Sequence, residues 1–446
     1  MIDRSDKVQS ECDCCTSTNV ISEDVSGKPE KEQQTHSAAD IRHNMIVLVM
    51  MDAMWIMGSA EIGLASSPLY VFLKASNTVI GLIGSVAILG LIGVFLSPFI
   101  SVRCRVKKWY LLIAHIPYLA PWGAIGVALI FSKQLGLTNE WLLTFVLVMN
   151  AVSWFFGGFV TLPHTEYTAA CIPMSHRGRF GGYGQTFGAA AGLISNSIGA
   201  AILLRMAKPA AFGCLYIMTW AICQGGYILA LLGREKPTPI EKAPKPWSKA
   251  MVMNALRDKP YMRVVGIFLL YNTVFIPLLT FVPVYGFREL KMAAATSATI
   301  GIIQKIASLL LSAFLGRMID KLSPKRVLIH WPLLGLATLT PLFVLHNQYG
   351  VYATAAIGAV FFAGEIAALN ALLYGMPAPE NRAGHFTFQI LAWYVSLFLG
   401  PIFMGFLCDK LGYLPTFGVI ALIALISLPI SRIALAGLSD KAQDYS

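Results

Sequence analysis

Charged side chains are scarce in this chain, and a few stand where charge is costly. Asp52 and Glu61 fall in "IVLVMMDAMWIMGSAEIGLASS", Lys305 in "ATIGIIQKIASLLLSAFLG" and Glu365 in "AVFFAGEIAALNALLYG". A charge at the bilayer centre costs on the order of 2.5–3.5 kcal/mol even on insertion scales. Such a group must face a wet cavity, a counter-charge or both. Lys305 is about twelve residues from either end of its apolar segment, roughly 18 Å along a helix. A lysine stem reaches only about 6 Å, so it cannot bring its ammonium to an interface. Glu365 lies at a similar depth two segments later, and the reading is that the two face a common cavity and pair in at least one state, with a permanent structural pair or a Lys305 wetted alone as the alternatives. Asp52 sits about eight residues into the first segment, roughly 12 Å deep. It reads either as an acid that takes up and releases a proton or as an interhelical hydrogen-bonding group. Glu61 follows nine residues on, half a turn out of phase, so the two acids are expected to face different ways, with Glu61 solvated near the outer mouth.

Neutral polar and aromatic groups interrupt other apolar segments. Asn196, Tyr271, Asn272 and Asn370 join Trp55, Trp154 and Trp393 as candidates to line a pathway. Polar groups among aromatic walls suit a small organic solute, although each Trp alone also reads as packing. His164 and Glu166, after Pro163, form a gate with Arg177 or Arg179, or else an ordinary interfacial cluster. Gly184, Gly188 and Gly192 give a close-packing face rather than chemistry.

These residues need membrane helices to hold them. Of 446 residues, 56% are hydrophobic and 13% charged, and the mean hydropathy is +0.64. A soluble domain carries about a quarter charged residues. Twelve apolar segments are long enough to span: 44–70, 78–101, 109–131, 140–163, 180–204, 210–233, 261–286, 293–316, 326–346, 350–376, 386–408 and 412–436. Long apolar runs exclude a barrel of short alternating strands. The expected fold is an all-α membrane protein of two pseudo-symmetric six-helix bundles, 44–233 and 261–436. A cytoplasmic linker, 234–260, divides them. Residues 1–43 form a polar disordered tail with no apolar signal-peptide core, and 437–446 a short second tail.

Most of the 34 Lys and Arg residues fall on the side of the N-terminus, which puts both termini in the cytoplasm, in a plasma or inner membrane. That bias accounts for the net charge of +11 without a nucleic-acid partner. Trp247, Met251 and Leu256, among Lys245, Lys249 and Arg257, suggest a piece lying on the membrane surface. Cys12, Cys14 and Cys15 cluster in the tail with no matching Cys/His spacing, so no metal site is expected. There is no phosphate-binding Walker loop and no clustered catalytic set, so neither an ATP-driven pump nor an enzyme is expected, and no cofactor.

The halves echo each other. "ASNTVIGLI" (75–83) and "ATSATIGII" (295–303) open the second and eighth segments, and "PMSHRGRFGG" (173–182) and "PENRAGHF" (379–386) follow the fourth and tenth. "GRMIDKLSPKR", Gly316 to Arg326, resembles the G-x-x-x-D-x-x-x-x-[RK]-[RK] loop of the major facilitator superfamily. The copy expected after the second segment, "SPFISVRCRVKKW", keeps the basic residues but has no Asp. The resemblance covers about residues 44–436. It implies a central cavity alternately open to each side, lined from helices one, four, five, seven, eight, ten and eleven. It also implies a cytoplasmic gate that includes Gly316, Asp320 and Arg326, with Arg382 in the corresponding later loop. The function so read is a secondary transporter of a small organic solute coupled to protons, working as a monomer in the lipid bilayer. An uncoupled facilitator, an exporter, and a transporter-shaped sensor or assembly protein are the alternatives. Cysteine-accessibility labelling is expected to find residues 233–260 and 133–139 on opposite sides of the membrane; labelling of both from one side overturns the topology.

Overall fold

The computed structural model describes residues 37–101, 103–173, 176–237, 249–377 and 382–438. The side chains of Gly316, Asp320, Asn370 and Arg382, and all of Lys245, Trp247 and the tail cysteines, lie outside the described residues. Twelve long helices run α1 Ala38–Phe72, α2 Asn77–Ser101, α3 Lys107–Ile130, α4 Asn139–Cys171, α5 Arg177–Arg205, α6 Ala210–Leu232, α7 Lys259–Arg288, α8 Thr296–Leu322, α9 Pro324–Leu345, α10 Gln348–Gly375, α11 Arg382–Leu411 and α12 Tyr413–Ala434. Among the described residues there is no strand, and ten of these helices are long and apolar enough to cross a membrane. The other two, α8 and α10, stand where the eighth and tenth spans are expected. All-helical spanning follows because backbone amides in hydrocarbon need partners within their own segment.

Several helix starts are encoded locally. The hydroxyls of Ser76, Thr138 and Ser323 and the carboxylate of Asp258 accept from backbone N–H groups of the first turns of α2, α4, α9 and α7. Asn347 accepts two such bonds at α10. The helix α7 is interrupted between Phe275 and Leu278, at Pro277, and α2 passes through a 3-10 turn at Val86–Leu89.

Several segments are longer than the sequence reading, three of them with consequences for the candidate residues. The first begins at Ala38, where Asp40 pairs with Arg234 at 2.8 Å. The fourth continues through Pro163 to Cys171, so His164 and Glu166 are helical. The eighth runs to Leu322, and only Ser323, at φ 71°, separates it from α9. The motif at Gly316–Arg326 is therefore largely helix rather than loop. Of the proposed surface piece, Lys249–Arg257 is a short helix.

Within the first half, α1 packs on α5 and α6, and α3 on α4 and α6; within the second, α9 packs on α10 and α12, and α8 on α10. The halves meet along two seams, α2 with α11 and α5 with α8. At the end carrying the N-terminus, Asn44 donates to the Cys171 and Arg234 carbonyls and accepts from the Arg234 N–H. Glu235 accepts from the backbone N–H groups of Lys107 and Lys108 at 2.6 and 2.9 Å, capping α3 from the linker. Burial pushes its carboxyl up, and those two bonds oppose the shift. Replacing Glu235 by Ala orphans both amides and is expected to cost about 0.5–2 kcal/mol, with Gln retaining part of the cap. Thermal unfolding of the purified protein checks this, and an unchanged midpoint for the Ala variant counts against the cap.

Candidate functional site

The glycine face of α5 positions the first-half groups. Asp52 of α1 lies beside Gly184, Ile56 beside Gly188, and the Lys305 stem from α8 beside Gly192, where an added methyl would stand 3.2 Å from Lys305 Cε. Close packing is thus the role of this face, and it brings two ionisable groups to one helix. Glu61 also meets α5, with Oε1 2.7 Å from Ser195 Oγ. The expectation that Asp52 and Glu61 face apart fails, because α1 keeps to α5 along its length. They remain separate sites, since Gly184 and Ser195 are roughly 16 Å apart along α5. Glu61 is not solvated: it is 0% exposed, and its Oε2 has no hydrogen-bond partner.

Lys305 and Glu365 do not pair in this state. The Glu365 side chain is 1% exposed and turned to α7, where Asn272 Nδ2 donates to Oε1 at 3.2 Å. Its Oε2 has no partner. Lys305 instead lines a cavity of about 260 Å³ between the halves, with Ser59 of α1, Asn196 of α5, Pro283 of α7 and Gln304 of α8. Counted from the far end, Lys305 lies nine residues into α8 and Glu365 seventeen into α10, and the two helices present them to different neighbours.

The other predicted residues divide. Trp55 joins Tyr118, Trp122 and Tyr227 at ring separations of 5.8–6.1 Å, an aromatic cluster inside the first half. Trp393 stands 6.1 Å from Phe268 across α11 and α7. Trp154 is half-buried on α4, its carbonyl against Gly90 of α2. Tyr271 uses its hydroxyl between helices, with the Leu328 carbonyl at 2.9 Å and Ser431 Oγ at 2.7 Å. Glu166 pairs with Lys107 at 3.1 Å rather than with Arg177 or Arg179. Arg177 donates to the Ile172 carbonyl, Arg179 is exposed, and the His164 ring is 6.3 Å from Tyr227. The Arg326 backbone N–H is taken by Ser323.

One constellation was missed. At the end opposite the N-terminus, Asp409 of α11 accepts from the backbone N–H groups of Asn77 and Thr78 at 2.9 and 2.7 Å and from the Thr78 hydroxyl. Arg288 of α7 donates to Asn77 Oδ1 at 2.8 Å and to the Ala75 carbonyl, and the Tyr413 hydroxyl reaches the same Oδ1. A carboxylate on the first turn of α2 meets unpaired N–H groups and the positive end of the helix dipole. The two helices touch closely there: a Cβ on Gly81 would strike the Pro401 carbonyl, and one on Gly405 the Asn77 carbonyl. The sequence signal was the "GFLCDKLG" stretch, whose Asp409 stands at the end away from the expected gate.

Among the described residues, twelve long helices in two halves close together at one end over a polar cavity. The description "Major Facilitator Superfamily" matches residues 287–440. The ectoine/proline transporter ProP of Corynebacterium glutamicum is 25% identical over 373 residues, 75% of this chain and 71% of that protein. A bacterial homologue of the human lysosomal transporter Spinster, inward-facing and unoccupied, superposes with a TM-score of 0.66 at 13% identity, over 90% of this chain and 98% of that one. A D-xylose–proton symporter gives 0.63 at 14% identity, over 89% and 98%. The fold is that of these solved transporters, and the major facilitator match covers the second half of the chain, residues 287–440.

Replacing Asp409 by Asn removes the charge from the far-end latch and is expected to shift the protein towards a state open at that end. Spin-label distances between the exposed Leu135 and Leu411 ends of the two halves, each as a cysteine, should lengthen. An unchanged distribution means that Asp409 only caps α2.

Proposed function

We propose that the protein moves a small organic solute by alternating access, driven by protons. The observation that supports this best is the polar cavity between the halves, which places Lys305, Asn196 and Gln304 deep among apolar helices. A scaffold or sensor built on the same fold gains nothing from such a cavity and bears its cost. The relative named for ectoine and proline and the D-xylose–proton symporter both point to small solutes, and the second to proton coupling.

Glu365 is the residue we assign to the coupling proton. Its carboxyl has one hydrogen bond, one unpartnered oxygen and no basic group in ion-pair reach among the described residues. A group so placed changes charge only when the halves part and water enters, which ties protonation to the rocking movement. Asp52 is the second acid, with no hydrogen-bond or ion-pair partner among the described residues. The cytoplasmic gate stays with the near-end groups, Asp320, Arg326 and Arg382 among them. With both termini in the cytoplasm of a plasma or inner membrane, the far-end latch faces outside and this state is shut to that side. One chain supplies both walls of the cavity, so a monomer suffices.

Proteoliposomes under an imposed pH gradient test the reading. A solute found by uptake screening should accumulate only with the gradient. Glu365→Gln should keep exchange of that solute down its own gradient while losing accumulation at least tenfold. Accumulation independent of the gradient in the unaltered protein points instead to an uncoupled facilitator.

A further inference from the structure

Resting on the reading of the interbundle cavity as the solute site, we propose that it holds its solute by a carboxylate, between Lys305 Nζ and Asn196 Nδ2. The cavity's lining contains one formal charge, the Lys305 ammonium, and no acidic residue. Lys305 makes no ion pair or hydrogen bond to the described residues, and its stem is fixed across Gly192. Asn196 supplies the independent observation. It is 2% exposed, and its Nδ2, a donor, has no partner. It stands against Gly301, one turn of α8 from Lys305. Two unspent donors on facing helices α5 and α8 require an acceptor, and a negative one satisfies both the hydrogen bonds and the ammonium.

The rest of the lining agrees. The Ser59 and Ser297 hydroxyl hydrogens go to the Ile56 and Ala294 carbonyls, so these oxygens face the cavity as acceptors. They suit a hydroxyl or amino group elsewhere on the same solute. The volume of about 260 Å³ leaves room for a solute the size of a small amino acid or another monocarboxylate. One ammonium balances one carboxylate, whereas a phosphoryl group at about −1.5 to −2 would stay undercompensated. Carboxylate binding also bridges the α5–α8 seam, so an occupied site draws the two halves together there.

The test compares acids with their neutralised counterparts on the purified full chain. Lactate, propionate and L-alanine are each set against the corresponding carboxamide in thermal-shift titrations. At least one acid is expected to raise the midpoint with concentration while its carboxamide does not. Lys305→Met should weaken that acid about 10- to 100-fold, as expected for a lost charge-assisted bond. Lys305→Arg should retain the response, and Asn196→Ala should weaken it less. Equal responses to acid and carboxamide overturn the proposal, as does a response to inorganic phosphate alone or no response to any acid. Because Lys305→Met could fail to fold, the acid–carboxamide comparison on the unaltered protein stands by itself. Counterflow in proteoliposomes separates the two readings. Exchange of an uncharged solute that Lys305→Met leaves intact overturns the carboxylate and keeps transport. No exchange of any solute overturns transport itself.

Discussion

Every polar group in this protein below the interfaces must find its partner inside the protein, because hydrocarbon offers none. The rest of the structure depends on this constraint. It makes the chain helical, and it turns each ionisable side chain among the apolar helices into a question about its neighbours. The answers differ. Asn272 satisfies one oxygen of Glu365, and Ser195 one oxygen of Glu61. Lys305 has only a cavity. A group with a protein partner holds helices together, whereas a group with only a cavity waits for something that comes and goes.

The two seams divide the work. Along α2 and α11 the backbones approach so closely that Gly81 and Gly405 leave no room for a side chain, and Ser85 adds a hydrogen bond to the Phe398 carbonyl at 2.6 Å. Asp409 and Arg288 then close the far end with charge placed on helix termini and carbonyls. Along α5 and α8 the same small-residue logic works more loosely: Gly192 meets the flexible stem of Lys305, and Gly301 meets a side-chain amide. Backbone-to-backbone contact resists sliding, while side-chain contact across a polar cavity can be exchanged for a solute.

Most of the fold was legible because its signals are additive over many residues. Twenty apolar residues in a row mark a span wherever their neighbours lie, and caps such as Asp258 and Asn347 are local. The helix extensions were not legible in the same way. Ala38–His43 and Pro163–Cys171 are helical in the structure but too polar to read as spans. The placement of Lys305 and Glu365 inside long apolar helices was readable, although the true helix starts set them at different distances from the far end. Their partners were not, since a partner depends on how α7, α8 and α10 rotate about their axes. Glu61 shows the same limit: a 100° step places it correctly on α1 but says nothing of where α5 crosses. Asp409 was missed, because nothing local to its own segment shows that the start of α2 crosses it and offers two unsatisfied N–H groups.

The missing Asp of the first-half loop has a physical counterpart. That copy's basic residues include Lys107 and Lys108, whose amides open α3 and need an acceptor. Glu235, arriving from the linker, supplies both bonds, and Glu166 of α4 takes the Lys107 ammonium. The acid is therefore provided by other segments rather than by the loop itself. Glu235 belongs to the segment that leads into the second half, so the α3 start is held by the chain that joins the halves.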